Sequence, residues 1–195
     1  MKIDIILAGV GGQGILSIAA AIGQAALINK LNIKQSEVHG MSQRGGAVMS
    51  HLRISSEPIS SDLIPFGKAD IILSVEPMES LRYLNYLSED GWLVTNTKPF
   101  ENINNYPDYE KLIEVIKNLP NRVFIDADQI AHEVGSLRVS NMVMLGASIP
   151  YLKLSPDSIE EGIRTIFASR GDEVVNLNLK AIKLGWDYTV ATHKQ

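Results

Sequence analysis

The feature that most constrains this chain is a cluster of glycines placed directly after its first apolar run. Ile3-Asp4-Ile5-Ile6-Leu7-Ala8 leads into Gly9-Val10-Gly11-Gly12-Gln13-Gly14, and an Ala-rich segment follows as far as Leu31. Within that segment Ile15, Ile18, Ala19, Ile22, Ala25 and Ala26 fall at helical spacing. The order is strand (Ile3–Ala8), tight turn, helix (Gly12–Lys30). Gly9, Gly11 and Gly14 match the G-x-G-x-x-G spacing, with the flanks that the motif requires. Without Cβ atoms the turn can be tight, and a phosphate can approach the backbone. The amides that open a helix lack intrahelical acceptors and carry a partial positive charge, so an anion suits that place. The same glycines equally suit close packing of the helix on the strand. Gly9, Gly11, Gly12, Gln13 and Gly14 are the first candidate binding residues.

A second unusual stretch, Glu37-Val38-His39-Gly40-Met41-Ser42-Gln43-Arg44-Gly45-Gly46, precedes a predicted strand at Ala47–Ser55. Between Gly40 and Gly46 it is polar and glycine-flanked, as a shaped loop is. An arginine at position 44 can grip a phosphate or carboxylate through two parallel hydrogen bonds. It fits a solvated surface or an internal ion pair as well. In a regular strand His51 and Arg53 share one face, and Leu52 and Ile54 the other.

Several chemistries are excluded by what the chain lacks. With no cysteine it can form no disulfide, catalytic thiol or Cys-ligated cluster. His39, His51, His132 and His193 show no metal-ligand spacing, so no metal site is expected. A net charge of −4 gives no sign of general nucleic-acid or membrane-surface binding. No apolar run approaches a membrane-spanning length, and the N-terminus does not read as a signal peptide, so a cytoplasmic location is expected. At 195 residues, with 45% hydrophobic residues, the chain reads as a single domain, 1–195, with a full core.

The remaining segments supply a scaffold. Ile33–Val38 reads as a weak strand, and Asp70–Val75 as a strand buried on both faces. Pro77 opens a helix that Met78–Leu87 carries, and Asp90-Gly91 turns into a strand at Trp92–Asn96. A polar loop, Thr97–Pro107, a helix at Tyr109–Leu119, a strand at Arg122–Asp126 and a short helix at Ala127–Val134 follow. The last third is helical: Asn141–Leu152, then Ser158–Ala168 after a Ser155-Pro156-Asp157 start, then Asp172–Thr192. This alternation predicts a three-layer α/β/α fold. Its sheet is open, mostly parallel and Rossmann-like, and becomes mixed if Ala47–Ser55 pairs antiparallel. Strand C-termini gather functional groups in such sheets, which makes Glu76, Asn96 and Asp126 candidates. Capping and turn formation are the simpler roles for Asp126, and equally good ones for Asn96.

Gly9–Gly14, Ser42-Gln43-Arg44-Gly45-Gly46-Ala47-Val48 and His51-Leu52-Arg53-Ile54-Ser55 together resemble the gamma subunit or domain of 2-oxoacid:ferredoxin oxidoreductases. The likeness is greatest to the small subunits of the indolepyruvate enzymes. Ala69–Pro77, with Glu76 at its strand end, resembles the family strand, and Asn141–Ala147 its Asn…Leu-Gly-Ala helix. The resemblance therefore spans nearly the whole chain. It implies a subunit of a complex that decarboxylates an aryl pyruvate on thiamine diphosphate. That complex passes electrons through iron–sulfur clusters to ferredoxin and releases an acyl-CoA. Thiamine diphosphate and the clusters would lie on a large partner subunit, while this chain helps to hold coenzyme A. Ser42, Gln43, Arg44, Gly45, Gly46, His51, Arg53, Glu76 and Asn141 join the candidate binding residues on that ground. No catalytic residue is implied.

A second possibility, a self-contained NAD-dependent oxidoreductase, rests on the glycine motif and on Glu37, 23 residues after Gly14, where an acid would meet ribose hydroxyls. As a subunit, the chain is expected to be inactive alone and to form a homodimer when isolated. Asn141–Leu152 and the Trp186/Tyr188 end are its expected partner surface.

Overall fold

The computed structural model describes residues 1–40, 45–101 and 103–192; Ser42, Gln43 and Arg44 lie outside them. The elements in chain order are β1 (Lys2–Val10), α1 (Ile15–Ile28), β2 (Asn32–His39), β3 (Ala47–Ser55), β4 (Ala69–Ser74), α2 (Pro77–Arg82) and β5 (Leu87–Asn96). Then come α3 (Tyr109–Lys117), β6 (Arg122–Ile125), α4 (Ala127–Val134), α5 (Ser140–Ser148), α6 (Pro156–Phe167) and α7 (Asp172–Thr192).

The strands form one mixed sheet in the order β2-β3-β1-β4-β5-β6. β1, β4, β5 and β6 run parallel, and β3 pairs antiparallel with both β1 and β2. β1 lies inside this sheet, and its alternating side chains explain why it is apolar on both faces. Ile3, Ile5 and Leu7 join the larger core with α1 and α4–α7; Ile6 joins a second core with α2 and α3. Helices thus cover both faces of the sheet, as the three-layer expectation required. After β1 the chain moves to β2 and β3, and it returns past β1 to reach β4. The C-terminal ends of β1 and β4 therefore flank a topological switch point, the crevice where open α/β sheets place ligands.

Two expectations are corrected. Helix α2 ends at Arg82 rather than reaching Leu87, because Leu87 already pairs with Ala69 in β5. β5 then runs through Asp90-Gly91 as an irregularity: Ile71 pairs with Trp92, so β5 carries extra residues over that span. The second correction concerns α5. Met142, Val143, Met144 and Leu145 are 0% exposed within the chain itself, so this apolar helix is core and not a partner surface. α5 meets α7 backbone to backbone: a Cβ at Gly146 would stand 2.0 Å from the Ile182 carbonyl oxygen, and one at Gly185 2.0 Å from that of Val143. Tyr188 is likewise committed internally, its hydroxyl donating to the Phe124 carbonyl at 2.9 Å.

Candidate functional site

The glycine turn connects β1 to α1 at the switch point. Its backbone is tied to the start of β3: the Gly11 amide donates to the Gly46 carbonyl at 2.9 Å, and the Gly45 amide approaches the Gly11 carbonyl at 3.5 Å. The two glycine stretches singled out in the sequence are thereby brought together. Gln13 folds back on the turn, its Oε1 accepting from the Val10 amide at 2.7 Å. Gly12 and Gly14 hold φ of +101° and +80°, a region that side-chain-bearing residues rarely adopt.

Gly14 is the N-cap of α1, and among the described residues no side chain caps the helix there. The first turn contains no acidic residue, so the helix itself does not offset the partial positive charge of its start. An open cleft of about 340 Å³ lies over these amides, walled by Val10, Leu16, Glu37 and Val48. Leu16 is 54% exposed at its mouth. Val10, Leu16 and Val48 were not among the sequence candidates. The signal for Leu16 was its place on the outward side of a helix without a single charge.

Asn141 reaches the turn from 127 residues away. It sits in the first turn of α5, and its Nδ2 donates to the Gly14 carbonyl at 3.1 Å. The other candidates point elsewhere. Glu76 lies two residues past the end of β4, as the N-cap of α2, and is 0% exposed. Its carboxylate accepts from the Glu79 amide at 2.7 Å, the Phe100 amide at 3.3 Å and the Tyr106 hydroxyl at 2.5 Å. Burial pushes its pKa above the usual carboxylate value, and these bonds partly offset the rise. It caps α2 and anchors the loop after β5. Asn96 and Asp126 serve as connectors too: Asn96 Oδ1 accepts from the Ala127 amide at 3.1 Å, and Asp126 caps α4 through the Gln129 amide at 2.8 Å.

His51 and Arg53 share one face of β3, as the strand period required, and that face is the one covered by α2 and α3. His51 Nδ1 accepts from the Ile64 amide at 3.1 Å, and its ring stands edge-on to Tyr86 at 5.3 Å. Burial lowers its pKa, which keeps the imidazole neutral and able to accept. Arg53 bridges Asp4 and donates to the carbonyls of Ser61 and Leu63 at 3.0 and 2.9 Å. Both side chains therefore hold the loop after β3, and neither reaches the glycine turn.

Glu37 does line the cleft. It lies on β2, however, and β3 separates β2 from β1. The dinucleotide fingerprint needs its acid on a parallel strand beside the first, so the NAD-binding geometry is not present.

The fold and site define a three-layer α/β class of protein, with an open mixed sheet and a glycine turn at its switch point. Within that class the chain belongs to the pyruvate ferredoxin/flavodoxin oxidoreductase family, whose model matches residues 4–188. It is 38% identical over 192 residues to indolepyruvate oxidoreductase subunit IorB of Pyrococcus horikoshii, covering 93% of each chain. It is 27% identical over 191 residues to the pyruvate/ketoisovalerate oxidoreductases common subunit gamma of Pyrococcus abyssi, covering 96% of this chain and 97% of that one. Among solved structures, the gamma subunit of a keto/oxoacid ferredoxin oxidoreductase from Geobacter sulfurreducens superimposes with a TM-score of 0.70 at 25% identity, covering 97% of this chain and 99% of that one. A 2-oxoglutarate:ferredoxin oxidoreductase from Magnetococcus marinus, with 2-oxoglutarate, coenzyme A and succinyl-CoA bound, gives a TM-score of 0.77 at 24% identity. The match covers 97% of this chain but only 31% of that one, so the fold also occurs as one part of a longer polypeptide.

Proposed function

We propose that this chain is the small subunit of a heteromeric 2-oxoacid:ferredoxin oxidoreductase acting on an aryl pyruvate, and that its glycine turn receives a phosphate of coenzyme A. The observation that carries the substrate class is the 38% identity to an indolepyruvate subunit along both chains, against 27% to a pyruvate/ketoisovalerate subunit. The phosphate role is supported by the uncapped α1 start under an open cleft. With no cysteine, this chain offers no thiolate to an iron–sulfur cluster. We therefore place the clusters on the large partner subunit, and on the family resemblance we place thiamine diphosphate there too, with ferredoxin as the electron acceptor of the complex. The expected cytoplasmic location belongs to the same proposal. So does a homodimer of the isolated chain, now attributed to the outer side of α1, where Leu16, Leu27 and Ile28 are 54%, 56% and 41% exposed.

The test is reconstitution with the large subunit, followed by dye-coupled oxidation of indolepyruvate with coenzyme A varied. The complex is expected to turn over, and this chain alone is not. Arg44→Ala removes a charged hydrogen-bond donor worth about 1.5–3 kcal/mol and is expected to raise the coenzyme A KM about ten- to a hundredfold. Gly12→Ala adds a side chain that meets no neighbour within 4 Å among the described residues, at a φ of +101° that strains the turn, and it is expected to raise the same KM. Turnover by the isolated chain would overturn the subunit assignment. Unchanged coenzyme A dependence in both variant complexes would overturn the phosphate assignment.

A further inference from the structure

We propose that Asn141 is the positioning residue of the phosphate turn: it acts on the ligand only through the Gly14 carbonyl, and it ties that turn to the rigid α5–α7 pair. The proposal rests on the coenzyme A assignment above.

The geometry has three links. First, α5 and α7 cross at direct backbone contact through Gly146 and Gly185, and their shared surface has no room for a methyl group on either glycine. Close-packed backbones of this kind transmit displacement instead of absorbing it. Second, Asn141 lies on α5 little more than one helical turn before Gly146 and is 8% exposed. Third, its Nδ2 meets the carbonyl of Gly14 at 3.1 Å. That carbonyl also accepts the Ser17 and Ile18 amides, at 3.1 and 3.3 Å, so it is the first acceptor of the α1 ladder. Fixing it fixes the direction of the α1 amides that open onto the cleft. The fit is close: a Cβ on Gly14 would stand 2.5 Å from Nδ2, so the amide occupies the space a side chain at position 14 would need.

What the position requires is a donor. An aspartate has the shape of asparagine but would set a carboxylate oxygen against the Gly14 carbonyl, and would add negative charge beside a site for an anion. An alanine merely loses the bond and leaves a small void. A donor role therefore ranks Asn141→Asp as the more damaging change. A packing role ranks Asn141→Ala as the more damaging.

The experiment compares Asn141→Asp, Asn141→Ala and Gly12→Ala in the reconstituted complex, with KM for coenzyme A, KM for the 2-oxo acid and kcat as readouts. Asn141→Asp is expected to raise the coenzyme A KM about tenfold or more and Asn141→Ala about threefold, each by more than the 2-oxo acid KM changes. An alanine effect larger than the aspartate effect, or equal changes in both KM values, would overturn the positioning role. If the aspartate chain does not assemble, Asn141→Ala decides: a rise confined to the coenzyme A KM supports the role, and a fall in kcat alone overturns it. If Gly12→Ala raises the coenzyme A KM and neither Asn141 variant does, the positioning role fails while the phosphate site stands. If no variant moves it, both fail.

Discussion

Asp4 of β1 and Arg53 of β3 are direct cross-strand partners, and their side chains meet in a two-pronged contact, Nε to Oδ1 at 2.7 Å and Nη2 to Oδ2 at 3.1 Å. Asp4 is 1% exposed, and the outer nitrogen of Arg53 reaches on to the carbonyls of Ser61 and Leu63. Lys2 Nζ also stands 2.9 Å from Asp4 Oδ2, so the buried carboxylate faces two cations, of which the guanidinium also shapes a loop.

Replacing the carboxylate leaves the half-buried guanidinium without its charged partner, and only the two carbonyls still accept from it. Asp4→Asn is expected to destabilise the fold by about 3 kcal/mol. Arg53→Lys is expected to recover only part of the stability of the native pair, since an ammonium cannot span both carboxylate oxygens and the two carbonyls. Denaturant unfolding gives the energies. Hydrogen exchange at residues 61–64 should show the loop loosening in both variants.

His51 predicts an acid-sensitive step in stability. Its folded pKa is lowered below 6.5 by burial, so the folded state binds fewer protons than the unfolded state at mildly acidic pH. The stability its neutral form supports is complete above 6.5 and is lost as pH falls through the folded value. His51→Gln keeps an acceptor for the Ile64 amide without titrating, and it should flatten stability against pH just below 6.5. An unchanged slope in the variant would assign the step to another group.

Glu76 is expected to matter for stability and not for ligand affinity. Tyr106→Phe removes a hydrogen bond to its carboxylate, an interaction worth about 1.5–3 kcal/mol. The thermal midpoint should fall while the coenzyme A KM of the assembled complex stays the same. A selective rise in that KM would show that Glu76 reaches the ligand after all.

Gly185→Ala reverses the ordinary helix rule. Alanine normally gains about 1 kcal/mol over glycine in a helix interior. Here its Cβ would meet the Val143 carbonyl oxygen at 2.0 Å, and a loss of about 3 kcal/mol or more is expected. Calorimetry of the variant checks the sign. Stabilisation would mean that α5 and α7 do not cross this closely.

Much of the architecture was legible along the chain because it is written in short-range chemistry. The β1–turn–α1 unit follows from an apolar run, glycines and helical spacing, all within neighbouring residues. Ala47–Ser55 was read to its observed bounds, and the opposition of His51 and Arg53 to Leu52 and Ile54 follows from the two-residue period of any strand. The start of α2 at Pro77 and of α6 after Ser155 follows from local capping chemistry.

What the tertiary structure decided is which side chains share a place, since that depends on contacts far apart in sequence. The sequence determined that Asn141 opens an apolar helix; only the packing of α5 on α7 carried its amide to Gly14. The same apolarity that marked α5 as a partner surface is spent inside the chain, because local hydrophobicity does not distinguish a core from an interface. His51 and Arg53 stood in a motif with the loop before them, yet β3 turns both toward the α2–α3 face, where burial binds them to the loop after it. Glu37 had the spacing of a ribose-binding acid until an antiparallel strand came between it and β1. Residue type and spacing are properties of the chain, while strand order, burial and the direction of a side chain arise only when distant segments pack together.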